Sequence, residues 1–166
     1  MAPLSLVKAS ASVAALPCCN AILSYRQRGP LVQLKNPTLY DLSEDQRTLR
    51  FAVAVCPTCD QVNFPADLHG CLNCGAPGDL LQRRWLAGDG VLRNFVTVHK
   101  ALRPNQGAPA VVAEIELTGG LMVDAIVDAI ETPLRTGMRM QAVPVQEKQG
   151  DTTLLACHFI VQETHP

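Results

Sequence analysis

Aromatic side chains are scarce: they make up 4% of the 166 residues, with one Trp, two Tyr and four Phe. That is a poor supply for a groove that stacks successive bases. An excess of charge of one sign is also missing. Fourteen Lys and Arg face fifteen Asp and Glu, a formal net charge of −1, so no strong overall field draws in nucleic acid or an anionic membrane. No apolar run approaches the roughly 18 residues of a membrane-spanning helix. No Gly-rich phosphate loop is present; Gly88-Asp-Gly90 lacks the further glycine and following helix of a dinucleotide fingerprint. No serine sits in a nucleophile elbow. What remains is a globular composition, 48% hydrophobic and 17% charged, which excludes disorder along the whole chain and suits one domain or two small ones.

Cysteine is plentiful, and four of the seven fall in two pairs, Cys56-Pro-Thr-Cys59 and Cys71-Leu-Asn-Cys74. The others are Cys18, Cys19 and Cys157. An odd count argues against a disulfide framework. Paired CxxC units read better as metal ligands in a reducing compartment, so a cytoplasmic location is expected. The first forty residues hold Lys8, Arg26, Arg28 and Lys35 but no acid before Asp41, and they are rich in Ala and Ser. This pattern loosely fits an organelle transit peptide. A partly ordered arm, an extended translation start, or an arm that docks on a partner fits it too. The apolar stretch Val13–Leu16 is short and ends at Pro17, which makes a poor secretory signal.

Pro3, Pro17, Pro30 and Pro37 exclude a long helix in the arm. A short helix is expected over Asp41–Arg50, capped by Asp41 or Ser43, with Glu44 and Asp45 in its first turn. Phe51–Val55 reads as a strand entering the first cysteine pair, and Gly75–Gly78 as a turn. Then the pattern turns β. Strands are expected at Leu81–Ala87, Val91–His99, Ala110–Leu117, Leu121–Asp128, Met138–Val145 and Thr153–Gln162. Gly88–Gly90 is read as a turn, Lys100–Pro109 as a loop, Gly119-Gly120 as a tight hairpin, and Ile130–Gly137 as a connection. Five or six short strands separated by turns imply a small barrel or sandwich. Residues 1–50 carry six basic and three acidic side chains, and residues 51–166 eight and twelve: a basic arm before a mildly acidic body.

Two residues between cysteines let both thiolates turn toward one point. Two such knuckles supply the four sulfurs that a tetrahedral Zn²⁺ accepts. The expected ligands are therefore Cys56, Cys59, Cys71 and Cys74, around one structural zinc per chain. Residues 60–70 are enough for a hairpin that brings the knuckles together. The residue after each knuckle needs a left-handed backbone, which Gly75 adopts freely and Asp60 at modest cost. Four thiolates leave no open position for water or substrate. Iron is the competing metal, since rubredoxin-like carriers use the same knuckles, but such carriers are little more than the metal domain. His69 is an alternative ligand to Cys71 or an ordinary loop histidine.

No catalytic constellation emerges elsewhere. His99 ends a strand with no nucleophile beside it in sequence. Asp124 and Asp128 read as a solvated rim. Cys157 and His158 are adjacent and so point to opposite faces of a strand, which argues against a dyad. Arg83-Arg84 beside Trp85 is the best basic–aromatic patch. It is small, and an amphipathic strand with one buried Trp accounts for it.

The succession "VCPTCDQVNFPADLHGCLNCGAP" (55–77), "GDGVLRNFVTVHKAL" (88–102), "APAVVAEIELTGGLMVDAIVD" (108–128) and "LRTGMRM" (134–140) resembles the zinc-ribbon plus OB-fold proteins associated with acyl-CoA enzymes. The resemblance covers about 51–162. It departs from the family at Asp60, where a glycine is usual, and in the long arm. It implies a mainly β fold: an N-terminal arm with the short helix (1–50), a rubredoxin-like zinc ribbon (51–80) and an OB-fold barrel (81–166). It also implies a role. Family members are small accessory subunits of thiolase-like enzymes, of thiolase-related aldolases or of acyl-CoA hydratases. One such protein, the small subunit of a thiolase that cleaves benzoylsuccinyl-CoA, is similar in kind. The larger subunit supplies the catalytic cysteine and histidines. The small one stabilises it and shapes the site for the CoA ester, with a CoA ester bound at the partner interface. On this basis the chain is not catalytic alone, has no membrane partner, and presents the loop 102–109 and the ribbon 60–70 as candidate docking surface.

Overall fold

The alternating run Ala113, Ile115, Leu117 against Glu114, Glu116 forms one strand of a barrel, with its apolar members buried. The structure is a computed structural model that describes residues 33–100, 107–128 and 133–162. Residues 1–32 of the arm, with Cys18-Cys19, and residues 102–106 of the 102–109 loop lie outside the described residues. The strands are β1 (Gln33–Leu34), β2 (Tyr40–Leu42), β3 (Leu49–Val55), β4 (Val62–Asn63), β5 (Gln82–Ala87), β6 (Asp89–Val98), β7 (Ala110–Leu117), β8 (Met122–Val127), β9 (Arg139–Gln149) and β10 (Thr152–Val161). The only helical turn among the described residues is a 3₁₀ turn at Gly78–Leu80.

Five strands close on themselves in the order β10-β8-β7-β6-β9 and back to β10, with β1 added along β10. All barrel neighbours are antiparallel except β8 and β10, which pair in parallel. Gly119 and Gly120 take positive φ (105° and 81°) to make the tight β7–β8 hairpin. The smaller sheet is built on β3, which pairs with β2 and β4 on one edge and β5 on the other. It thus takes β2 and β5 from either side of residues 51–80. One apolar core serves both sheets: Leu92, Ile115, Leu117, Met140 and Phe159 from the barrel pack with Leu49, Phe51 and Val53.

Two expectations fail locally. No helix forms over Asp41–Arg50; residues 43–48 turn between β2 and β3. Asp45, expected in a helical first turn, accepts the amides of Arg47 and Thr48 (3.0 and 3.2 Å), and Gln46 takes φ 57°. Those amide bonds hold the Asp45 carboxyl below its usual range. Asp41 instead faces Arg50 across the strands at 3.0 Å. Short polar side chains satisfy backbone donors in turns as readily as at helix starts, and the tertiary pairing of β2 with β3 decides between them. Gly88–Gly90 is likewise not a hairpin turn. Gly88 carries the chain from β5 in the small sheet into β6 in the barrel, and the two strands do not pair. A Cβ at Gly88 would lie 2.4 Å from the Leu49 carbonyl and 2.6 Å from the Ala142 side chain, so glycine is required by close approach of both sheets.

The adjacent Cys157 and His158 have different surroundings, as alternation along β10 requires. Cys157 packs against the core, where burial pushes its thiol up to about 12. His158 is buried and bridges two carboxylates, Nδ1 to Asp128 and Nε2 to Glu147, each at 2.9 Å. Lys35 beside β1 meets the same Glu147 at 2.5 Å. Burial works against the Glu147 carboxylate, but Lys35 and His158 outweigh it and hold its pKa down. A depressed folded-state pKa means that Glu147 stabilises the fold above the ordinary carboxylate range. This contribution is lost as pH falls through its folded value. Glu147→Gln should therefore lower stability at pH 7 and flatten the acid limb of a urea-midpoint-versus-pH curve. An unchanged acid limb would contradict the assignment.

Candidate metal centre

β3 delivers Cys56 directly from its end, and the β3–β4 pairing (Ala54 with Asn63, Val55 with Val62) folds the first knuckle back. The Gly70–Pro77 bridge closes the second. The two knuckles are built alike. The Asp60 amide donates to the Cys56 carbonyl (2.9 Å) and the Gly75 amide to that of Cys71 (3.0 Å). The cysteine amides in turn reach the carbonyls of Gln61 (3.0 Å) and Ala76 (2.8 Å). Asp60 and Gly75 both take left-handed φ, 57° and 74°, as their positions after the knuckles require.

This backbone gathers Cys56, Cys59, Cys71 and Cys74, with all four sulfurs within 4.8 Å of one another. Cys56 Sγ lies 3.6 Å from Cys74 Sγ, and Cys59 Sγ 3.6 Å from Cys71 Sγ. A tetrahedral site with metal–sulfur bonds of about 2.3 Å has edges of about 3.8 Å, so the donor set fits such an ion. Cys56 and Cys71 are buried, Cys59 half-buried and Cys74 exposed, which puts the site at the edge of the small sheet. The electrostatics point the same way. The Cys74 amide, working against burial, and the Asn73 amide hold Cys71 down to about 6. At Cys74 the Ala76 amide favours the thiolate, yet the neighbouring sulfurs and burial push it up to about 12. Four thiolates this close oppose one another, and a bound cation removes that opposition. His69 is exposed and outside the cluster; its carbonyl accepts the Gly78 amide at 2.8 Å. His99 is exposed just beyond β6.

Asn63 is a site residue that the sequence did not reveal. It is fully buried and donates to the carbonyls of Ala54 (3.1 Å) and Gln61 (3.0 Å) and toward Cys71 Sγ (3.7 Å). Its Oδ1 accepts the Leu72 amide at 2.9 Å. It thereby ties the first knuckle to the second and orients a ligand sulfur. The one signal was an amide between Val62 and Phe64, a polar group where the neighbours are apolar. Asn63→Ala should cost about 1–3 kcal/mol through the groups it leaves unpaired. It should also weaken metal retention, read as faster loss to a chromophoric chelator. Retention equal to the parent would refute the tie.

On the barrel, the outer face of β7 and β8 is acidic. Glu114 lies directly opposite Asp124, and Glu116 pairs with Arg93 at 2.5 Å. Like charges placed opposite each other repel, and a nucleic-acid backbone would add to that repulsion. Trp85, expected to be buried, is 43% exposed, because β5 turns that face of the small sheet to solvent.

Residues 84–145 match the family model described as ChsH2, C-terminal OB-fold domain. The barrel is an OB-fold, similar over these residues to that domain. Its five strands close in the order β10-β8-β7-β6-β9, the five-stranded barrel of an OB-fold. Among solved structures, a chain of the "Ltp2-ChsH2(DUF35) aldolase" is similar, with a TM-score of 0.54 and 22% identity over 80% of this chain and 98% of that chain. At that identity the likeness speaks for the fold. No curated protein matches the sequence. No helix among the described residues is long and apolar enough to cross a membrane.

Proposed function

We propose that this protein is a non-catalytic accessory subunit of a thiolase-type acyl-CoA enzyme complex, which stabilises a larger partner and shapes its acyl-CoA site. The match of the barrel to the ChsH2 OB-fold family carries the proposal. The cysteine cluster supports it. Cys56, Cys59, Cys71 and Cys74 hold one structural zinc, a closed site that stiffens a hairpin and offers no position to substrate. Reduced thiols suit a cytoplasmic location. Leu72, Leu80 and Val96 are more than half exposed, apolar surface that a partner would cover. Docking would order loops near the acyl-CoA entrance by favouring one of their conformations, with the CoA ester held at the partner interface.

Coexpression with candidate large subunits, followed by affinity purification and mass spectrometry, tests this directly. A fixed-stoichiometry complex and no thioester turnover by the isolated chain are expected. Respectable turnover by the chain alone would end the proposal.

A second reading, in which the partner is an aldolase, is favoured by the similar solved structure, which is itself named as an aldolase. The chemistry separates the two readings. Thiolytic cleavage consumes free CoA as nucleophile and yields two acyl-CoA products. Retro-aldol cleavage needs no free CoA and releases an aldehyde or ketone with one acyl-CoA. Omitting CoA from the assay of the complex distinguishes them, and a hydratase complex would instead add water without breaking a carbon–carbon bond.

A further inference from the structure

The outer face of the small sheet carries a group that neither the metal site nor the barrel uses. Strand register places Arg50 opposite Ala87, Ala52 opposite Trp85, and Ala54 opposite Arg83. These side chains point away from the core face of Leu49, Phe51 and Val53. Ala52 and Ala54 are buried although they face outward, because the larger side chains beside them cover them. The Arg50 guanidinium lies 4.5 Å from the Trp85 ring centroid and that of Arg83 5.6 Å. Asp41 neutralises Arg50 at 3.0 Å. Arg83 pairs with no carboxylate among the described residues, and the buried Arg50 Nε has no acceptor. Two guanidiniums against one carboxylate leave an uncompensated positive charge beside an exposed indole.

We propose that this face is a docking surface for an acidic segment of a partner protein, with a carboxylate of that segment pairing with Arg83 and its neighbouring side chains covering Trp85. Charge complementarity sets the occupant. A planar guanidinium takes a carboxylate through two parallel hydrogen bonds, and contact with the indole holds it ready. Trp and Arg are also the residues that most often anchor protein interfaces. A nucleotide fits less well. Arg83 precedes Trp85 by two residues and Arg50 lies opposite Ala87, two residues beyond it, so the guanidiniums reach the indole from opposite ends and occupy the approaches a base would stack on. Identifying the acidic segment with the large subunit rests on the function proposed above; the surface itself does not.

Trp85 is the only tryptophan, so its emission reports on this face alone. The metal-loaded full chain is titrated at low salt with a glutamate homopeptide, with CoA and with inorganic phosphate. The peptide should shift the emission, and the effect should fade as salt rises. Arg83→Glu should weaken it at least tenfold, whereas Lys148→Glu, the same charge change on an exposed β9 position, should leave it within about twofold. No response to the peptide, an equal loss in both variants, or tighter binding of CoA than of peptide would each overturn the proposal. A second arm uses the copurified complex. A complex that assembles with Trp85 emission unchanged overturns the docking surface and leaves the subunit reading standing. A positive peptide titration without any complex does the reverse.

Discussion

Stripping the metal with a strong chelator will unfold the knuckles and the strands they anchor, and replacing Cys56 and Cys74 together with Ser will do the same. The four sulfurs come from two turns whose own backbone bonds are few, four amide–carbonyl contacts of 2.8–3.0 Å. Such turns do not hold together alone. Structural zinc contributes on the order of 10 kcal/mol in small metal-folded units, comparable to the whole stability of a typical domain. The loss should therefore dominate any other single change at the ribbon. Hydrogen exchange should show protection vanishing across residues 56–81 and weakening in β3 and β5, while the β7–β8 hairpin stays protected. Metal analysis should give one zinc per chain in the parent and none in the double variant. A double variant that stays folded and still assembles would show that the cluster is not structural.

Phe159→Ala should be the most damaging single substitution in the barrel, costing about 3–5 kcal/mol. Phe159 is fully buried and stacks on Phe51 of the small sheet, with centroids 6.2 Å apart and rings 19° from parallel. Phe64, just past β4, meets Phe51 edge-on, with centroids 6.0 Å apart. Three of the four phenylalanines thus meet at Phe51, which joins residues next to the hairpin to the barrel core. Removing the Phe159 ring opens a cavity where the two sheets share their packing, so both sheets should lose stability together in a urea titration. Phe95→Ala serves as the control: that ring is 38% exposed, and its loss should stay near ~0.5 kcal/mol. Equal effects at the two positions would mean that the shared core is not what joins the sheets.

The strands that were legible in the sequence are those of six or more residues, from β3, read as a continuous apolar run over Phe51–Val55, to β7, whose apolar residues alternate. The edges of β5 through β8 and of β10 fall within two residues of their expected places, while β9 runs on past Val145 to Gln149. β1, β2 and β4 were not legible. Two or three residues carry no period, and these strands exist only because β10 or β3 offers an edge to pair with. The helix expected at Asp41–Arg50 failed for the same reason, since a local capping pattern lost to a non-local strand pair.

The chain's own spacing determined that four thiols converge, and that Asp60 and Gly75 turn left-handed to let them, because two-residue gaps and tight turns are local geometry. The period-two alternation determined that a small β structure follows. Only the tertiary structure decided that Gly88 is a crossing between sheets rather than a turn. It also decided that Asn63 ties one knuckle to the other, and that Trp85 lies exposed between two arginines instead of in the core. Each of these depends on which strands become neighbours, and that is set by burying one apolar core between distant segments, which no short window of sequence contains.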